Sequence, residues 1–317
     1  MTDVRPLVSI ICPVFNEEAC VPLFFQRLQA MLSPLWTSFE FELIFTNNAS
    51  TDRTLEKIRE IRAANSWVRV VSLSRNFGYQ ASIMCGLRNA AGEAIIFIDV
   101  DCEDPPEMIP QFLSGWRAGN DVVYGRRTKR PEHPTMILAR KFFYRFTRAI
   151  ADSDFNLDMA EFALISRRVK AVCLHNRSSF PFVRTEIAYA GFRQFGIAYN
   201  RAPRVAGRTH YNLFRMARFA IAGILSTSTF PLRFTAYIGL PLALINALMM
   251  LADMIAGPFR LQPLLLLDMT ALLVAVVGLS LFVARIYKDL IQRPLYIVDK
   301  ANTTLDRPVV EDLAMID

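Results

Sequence analysis

Hydrophobic positions along the chain follow two different periods. Between residues 7 and 125, short β-rich apolar runs alternate with amphipathic runs of helical spacing. Leu7–Cys12, Phe41–Thr46, Val68–Leu73, Ala94–Ile98 and Asp121–Tyr124 are predicted strands. Val21–Leu32, Thr51–Ala64 behind a Ser50 cap, Gln80–Asn89 and Glu107–Arg117 are predicted helices between them. This alternation predicts a parallel, doubly wound α/β sheet, whose ligands sit beyond the carboxyl ends of the strands. Later in the chain the pattern is apolar all round. Phe234–Ala252 is nineteen residues without a charge, and Leu264–Ala284 carries only Asp268. A membrane span needs roughly 17–25 predominantly apolar residues, so the two runs predict a transmembrane hairpin, with Asp253 and Asp268 flanking its turn near the far interface. The competing reading is a pair of helices buried in a soluble core.

Charge sharpens this picture. The chain has 317 residues, 53% of them hydrophobic, and a formal net charge of +7. Residues 126–148 hold eight bases (Arg126, Arg127, Lys129, Arg130, Arg140, Lys141, Arg145 and Arg148) against Glu132 alone, a local surplus equal to that of the whole chain. Five further arginines and no acid lie between Arg201 and Arg218. Aromatic residues interleave with both clusters, as in amphipathic helices lying among anionic lipid headgroups; nucleic acid is the disfavoured partner. The turn between the apolar runs carries only Arg260, whereas bases crowd both outer flanks. The positive-inside rule then places the N-terminal domain and the C-terminal tail in the cytoplasm. Met1–Phe15 lacks the pattern of a signal peptide, and the five cysteines form no CxxC pair, which reads as reduced core thiols. The expected organisation is a catalytic domain over 1–212, a juxtamembrane amphipathic helix over 213–231, two spans within 232–287 (about 234–256 and 264–284) and a cytoplasmic tail over 288–317. The stretch from Lys129 to about Leu157 reads as a basic, mobile connection.

No glycine precedes Gly78, which excludes a GxGxxG turn or a P-loop after the first two strands. The chemistry lies after the fourth strand, in Asp99-Val100-Asp101-Cys102-Glu103-Asp104-Pro105-Pro106-Glu107. Alternate carboxylates in extended chain share a side. Hard divalent ions such as Mg²⁺ or Mn²⁺ take such oxygen ligands together with substrate phosphates. Other strand ends carry Pro13-Val14-Phe15-Asn16-Glu17-Glu18, Thr46-Asn47-Asn48-Ala49-Ser50-Thr51-Asp52-Arg53-Thr54 and Ser74-Arg75-Asn76-Phe77-Gly78-Tyr79-Gln80. With Gly125–Arg130, Glu161–Arg167, Arg204–Tyr211 and Pro231-Leu232-Arg233, these blocks resemble family 2 glycosyltransferases of the polyprenyl-phosphate type. The bactoprenol glucosyltransferases are the nearer likeness and dolichol-phosphate mannose synthase the more distant.

The resemblance implies a glycosyltransferase A-type (GT-A) domain that passes a sugar from a nucleotide sugar to a membrane polyprenyl phosphate, with inversion. It places Pro13, Glu17, Asn47, Asn48, Arg75 and Asp99 around the nucleotide sugar. Asp99, Asp101 and Glu103 would hold Mg²⁺ or Mn²⁺, with Asp101 and Glu161 as the catalytic carboxylates. Arg126, Arg127, Arg130, Arg204 and His210 would meet donor or acceptor phosphates. UDP-glucose is the default donor and undecaprenyl phosphate the default acceptor. The implied setting is a bacterial inner membrane, where a homo-oligomer (a tetramer by resemblance) feeds O-antigen or lipopolysaccharide modification. Three blocks depart from the usual pattern: Asn47-Asn48-Ala49-Ser50 stands for Asp-Asp-Gly-Ser, Ala160-Glu161-Phe162-Ala163-Leu164 for Gly-Asp-Phe-Arg-Leu, and His210 for lysine. The rivals are a catalytically silent membrane scaffold, a processive polysaccharide synthase, whose Gln-x-x-Arg-Trp signature is missing, and a soluble nucleotidyltransferase.

Overall fold

The computed structural model describes residues 5–127, 159–176, 178–179, 181–203, 229–256 and 262–310. The expected basic connection over 129–157, Arg130, Arg204, His210 and nearly all of the expected juxtamembrane helix lie outside them. The chain divides into two compact units, the first holding residues up to 127, 159–203 and the tail from Pro294, the second the two long apolar helices.

In the first unit the alternating pattern becomes β1 (Leu7–Val14), α1 (Cys20–Leu32), β2 (Glu40–Asn47), α2 (Thr54–Ala64), β3 (Val68–Ser72), α3 (Tyr79–Asn89), β4 (Ala94–Phe97), α4 (Ile109–Arg117) and β5 (Val122–Arg127). Then follow β6 (Met159–Ser166), α5 (Arg167–His175), α6 (Val183–Tyr189) and β7 (Gln194–Tyr199). Among the described residues the strands form one sheet in the order β3-β2-β1-β4-β6-β5-β7. The β3-β2-β1-β4 half is parallel, as the alternation predicts. The other half is mixed, because β6 runs antiparallel to both β4 and β5. Two local expectations are corrected. α2 starts at Thr54 rather than Thr51, since Asp52 Oδ1 accepts the Thr54 N–H while Ser50 Oγ accepts the N–H of Asn16. The fourth helix opens with a 3-10 turn over Pro106–Met108, where proline blocks earlier α-helical bonding.

Strand alternation sorts the core onto two faces. Val8, Ile10, Cys12 and Val14 of β1 pack with α1, Ile58 of α2 and Phe112 of α4. Ile11, with Ile44 and Val71 of the neighbouring strands, packs on the opposite face with α3, Val169, Cys173, Val183 and Ile187. All five cysteines are buried thiols. The tail after residue 293 belongs to this second face. Tyr296 is fully buried, and Val298 and Thr304 form antiparallel bridges to Leu73 and Val70, covering the β3 edge.

In the second unit, α7 (Phe230–Ala256) and α8 (Gln262–Leu290) are each longer than predicted. Their apolar windows, Thr235–Ala252 and Leu265–Leu290, have mean hydropathies of 1.8 and 2.4, and almost none of their residues is buried. Both are long and apolar enough to cross a membrane. Asp268 accepts a hydrogen bond from Asn246 Nδ2 at 3.0 Å. Both residues fall inside the apolar windows, so Asp268 is tied into the helix pair rather than standing only beside its turn.

Candidate active site

Strand order reverses between β1 and β4: β2 and β3 lie on one side of β1, β4 on the other. Such a switch point opens a crevice beyond the strand carboxyl ends. The loops after β1, β2 and β4 all reach it, and each contains a non-glycine residue at positive φ: Asn16 (55°), Ala49 (58°) and Cys102 (56°). Residues rarely adopt that region without a reason, and such strain gathers at functional sites. The first two loops are bonded to each other. Asn16 N–H donates to Ser50 Oγ at 3.0 Å, Thr51 N–H to Asn16 Oδ1 at 2.8 Å, and Glu17 N–H to Thr54 Oγ1 at 2.8 Å.

Antiparallel β6 completes the crevice. Phe97 pairs with Ala163, and carrying that register on by two residues sets Glu161 across from Asp99. Glu161 thus comes to the carboxylates beyond β4 although it lies sixty residues further along the chain. Asp99 Oδ1 accepts the Tyr79 hydroxyl at 2.8 Å, and Glu161 Oε1 accepts Gln80 Nε2 at 3.2 Å, with Arg184 3.6 Å from the same oxygen. Burial first, then the charges of Glu161, Asp101 and Asp104, push the Asp99 carboxyl up to about 8. Burial, and next the charge on Asp99, likewise keeps the Tyr79 phenol well above its ordinary range, so it stays a donor. The crevice therefore gathers Asp99, Asp101, Asp104 and Glu161 closely enough for their charges to act on one another, in a set of hard oxygen atoms.

Among the described residues, no three His, Cys, Asp or Glu side chains assemble into a ready ligand set. Glu103, expected beside Asp101, forms an ion pair with Arg201, and its backbone carbonyl accepts the Ala202 N–H. Asp101 Oδ1 accepts the Glu103 N–H at 3.1 Å. Asp99 and Asp101 suit a divalent ion that takes its remaining ligands from substrate phosphates. Arg127 is turned inward: it bonds the nearly inaccessible Asp104 at 3.1 Å and the Tyr199 hydroxyl at 3.1 Å. Arg126, one residue earlier on β5, is exposed. Asn47 donates to Ser72 Oγ and accepts the Ser50 N–H; Asn48 accepts the Phe77 N–H and donates to Asn76. Both are buried, so they shape the loops around the crevice. Pro13 is buried on β1, Glu17 half-buried just beyond it, and Arg75 exposed with its guanidinium over the Phe77 ring at 4.0 Å.

The glycosyl transferase family 2 profile matches residues 9–172, the stretch that carries β1 to β6. The chain belongs to that family. It is therefore a glycosyltransferase, and its mixed α/β domain is the GT-A type. The chain is 34% identical to the uncharacterized glycosyltransferase YkcC of Bacillus subtilis over 97% of this chain and 98% of that one. It is also 34% identical to the SfII prophage-derived bactoprenol glucosyl transferase of Shigella flexneri, over 93% and 98% of the two chains. The prophage bactoprenol glucosyl transferase homolog of Escherichia coli K12 is 33% identical over 93% and 99%.

Asp99, Asp101 and Glu161, candidates from the sequence, are brought together in the structure. Tyr79 and Gln80 close the third strand-end block, but the sequence assigns them no role. The available signal is that α3 is buried along nearly its whole length yet begins with two polar side chains.

Proposed function

We propose that the chain transfers a hexose from a nucleotide sugar to the phosphate of a membrane polyprenol, with UDP-glucose and undecaprenyl phosphate as first candidates. The observation that carries this reading is the convergence of Asp99, Asp101 and Glu161 at one end of the central strands β4 and β6, in a chain similar over its length to bactoprenol glucosyl transferases. The two apolar helices support a membrane setting, in which the catalytic domain and both termini face the cytoplasm and the product serves O-antigen-type glycan modification.

In the proposed reaction a phosphate oxygen of the lipid forms a bond to the anomeric carbon. The bond from that carbon to the nucleoside diphosphate breaks and leaves its electron pair on the departing oxygen, with inversion. A phosphate monoester has a second pKa of about 6 and is largely dianionic at neutral pH, so no strong general base is required. Glu161 then serves to place the acceptor, and Asp99 and Asp101 face the donor diphosphate. Asp99 and Asp101 would hold Mg²⁺ or Mn²⁺, which would neutralise charge gathering on that diphosphate. Pro13 and Glu17 border the nucleotide, while Asn47 and Asn48 hold the loops that shape its pocket. Exposed Arg126 is available to phosphates, and Arg130, Arg204 and His210 belong to the same proposal. The inward pairing of Arg127 gives it a bracing role, and that of Glu103 joins it to the loop at Arg201.

The test uses membranes bearing the full chain, undecaprenyl phosphate, Mg²⁺ or Mn²⁺ and a panel of labelled nucleotide sugars. A lipid-linked hexose that disappears in Asp101→Asn is the expected result. No lipid-linked product with any donor overturns the proposal in favour of a silent scaffold. Full activity of Asp101→Asn overturns the assignment of that carboxylate.

A further inference from the structure

Two adjacent side chains at the start of α3 divide their hydrogen bonds between the two sides of the crevice. The loop that delivers them is fixed. Asn48 Oδ1 accepts the Phe77 N–H at 2.9 Å, and Asn76 Oδ1 accepts both Asn48 Nδ2 and the Gly78 N–H. Gly78 turns the chain at φ +94°, where a side chain would be strained, and α3 begins at the next residue. Tyr79 then gives its hydroxyl to Asp99.

The orientation of the Gln80 amide is dictated by its surroundings. Its Oε1 accepts the Val183 N–H at 3.1 Å, at the first residue of α6. A backbone N–H only donates, so the amide nitrogen must point the other way, and it donates to Glu161. Gln80 is 5% exposed, so its amide is held between these two partners.

From this juxtaposition we infer that Tyr79 and Gln80 are positioning residues that hold the donor-side and acceptor-side carboxylates at a set separation, Tyr79 acting through Asp99 and Gln80 through Glu161. The inference rests on the transfer reaction proposed above and adds a division of labour to it. Each carboxylate takes a neutral donor from the same helix, so the start of α3 fixes the direction in which each one faces, with Arg184 as a further partner of Glu161.

Two variants separate the roles. Tyr79→Phe keeps the ring and removes the hydroxyl that donates to Asp99. Gln80→Glu keeps an acceptor for the Val183 N–H and replaces the donor to Glu161 with a repelling oxygen. Initial rates are measured on membranes bearing the full chain, varying the nucleotide sugar and undecaprenyl phosphate in turn. A lost hydrogen bond to a charged group corresponds to roughly a 10-fold effect or more. Tyr79→Phe is expected to raise KM for the nucleotide sugar by that factor and leave KM for the lipid unchanged. Gln80→Glu is expected to do the converse. A merely structural defect lowers kcat without splitting the two KM values. Wild-type KM values in either variant, or both KM values moving together, overturn the positioning roles while leaving the transfer reaction standing. Absence of lipid-linked product from the wild type overturns both.

Discussion

Arg307, in the tail beyond the second apolar helix, offers the sharpest test of how the catalytic domain is held together. Its guanidinium reaches Glu42 on β2 at 2.9 Å, and Glu42 is only 2% exposed. Glu42 also accepts Ser9 Oγ at 2.6 Å and the Ala91 N–H at 2.7 Å. Removing one partner of a buried ion pair costs about 3–5 kcal/mol, because the other charge remains desolvated. Two neutral donors stay behind, and Arg307 is itself about one-third exposed, so the lower end applies: about 3 kcal/mol for Arg307→Met. For a domain of 150–250 residues, 1 kcal/mol moves Tm by roughly 2–4 °C, which predicts a fall of roughly 6–12 °C. Thermal unfolding of the detergent-solubilised chain, followed by tryptophan fluorescence, measures it, since Trp36, Trp67 and Trp116 all lie in the catalytic domain. Glu42→Gln combined with Arg307→Met leaves no stranded charge and is expected to recover much of the loss. Asp306 provides the contrast. It pairs with Arg69 at 2.6 Å but is half exposed, and such pairs are worth up to about 1 kcal/mol. An Arg307→Met variant that unfolds within 2 °C of wild type, or a double variant no better than the single, refutes this account of the tail.

Three further outcomes follow from particular positions. Ala49 holds φ at 58°, a conformation costing an L-residue about 1–2 kcal/mol; Ala49→Gly is expected to raise Tm, and an unchanged or lower Tm counts against strain there. Gly86 sits inside α3 with Ile11 Cγ2 only 2.4 Å from where a Cβ would be; Gly86→Ala is expected to lose about 1–3 kcal/mol by overpacking despite alanine's higher helix propensity, and a stabilised variant contradicts that packing. Lys170 is lowered from 10.5 to about 8, first by burial and then by Arg167 and Arg307. Between pH 8 and 10.5 the unfolded chain therefore binds more protons at this residue than the folded one, and stability rises with pH. Wild type should gain on Lys170→Gln in paired melts from pH 8 to 10; a constant difference rules out the depressed pKa.

The parallel half of the sheet was legible because its strands are buried on both faces and separated by helices of clear period, so each boundary is marked twice. β6 was less so. Met-Ala-Glu-Phe-Ala-Leu-Ile-Ser carries a glutamate near its start and runs directly into α5, which hides its end. Its antiparallel sense has no local signature; it is a consequence of packing between β4 and β5. The Asp-x-Asp pair could be found from position alone, just past an apolar strand. The donors to Asp99 and Glu161 could not, because Tyr79 and Gln80 acquire meaning only when the β4–β6 register brings those acids together. The tail failed differently. Leu295, Tyr296 and Val298 form a short apolar cluster among polar residues, and nothing in that spacing says which sheet edge they cover.

α3 joins these observations through its own polarity. At its amino end it faces Asp99 and Glu161, bonded by Tyr79 and Gln80. At its carboxyl end the carbonyls of Asn89, Ala90 and Ala91 accept, in turn, from Arg307, Lys170 and Arg167. Helix dipoles favour negative charge at the amino end and positive charge at the carboxyl end, and carbonyls left over at a helix terminus need such donors. The two ends thus bear opposite charge in the sense the dipole rewards, although those charges come from β4, β6, α5 and the tail. Gly86 lets the helix lie directly on Ile11 of β1 and Thr46 of β2, so a shift at one end has little room to be absorbed before the other. The cations that complete the carboxyl end contribute to stability.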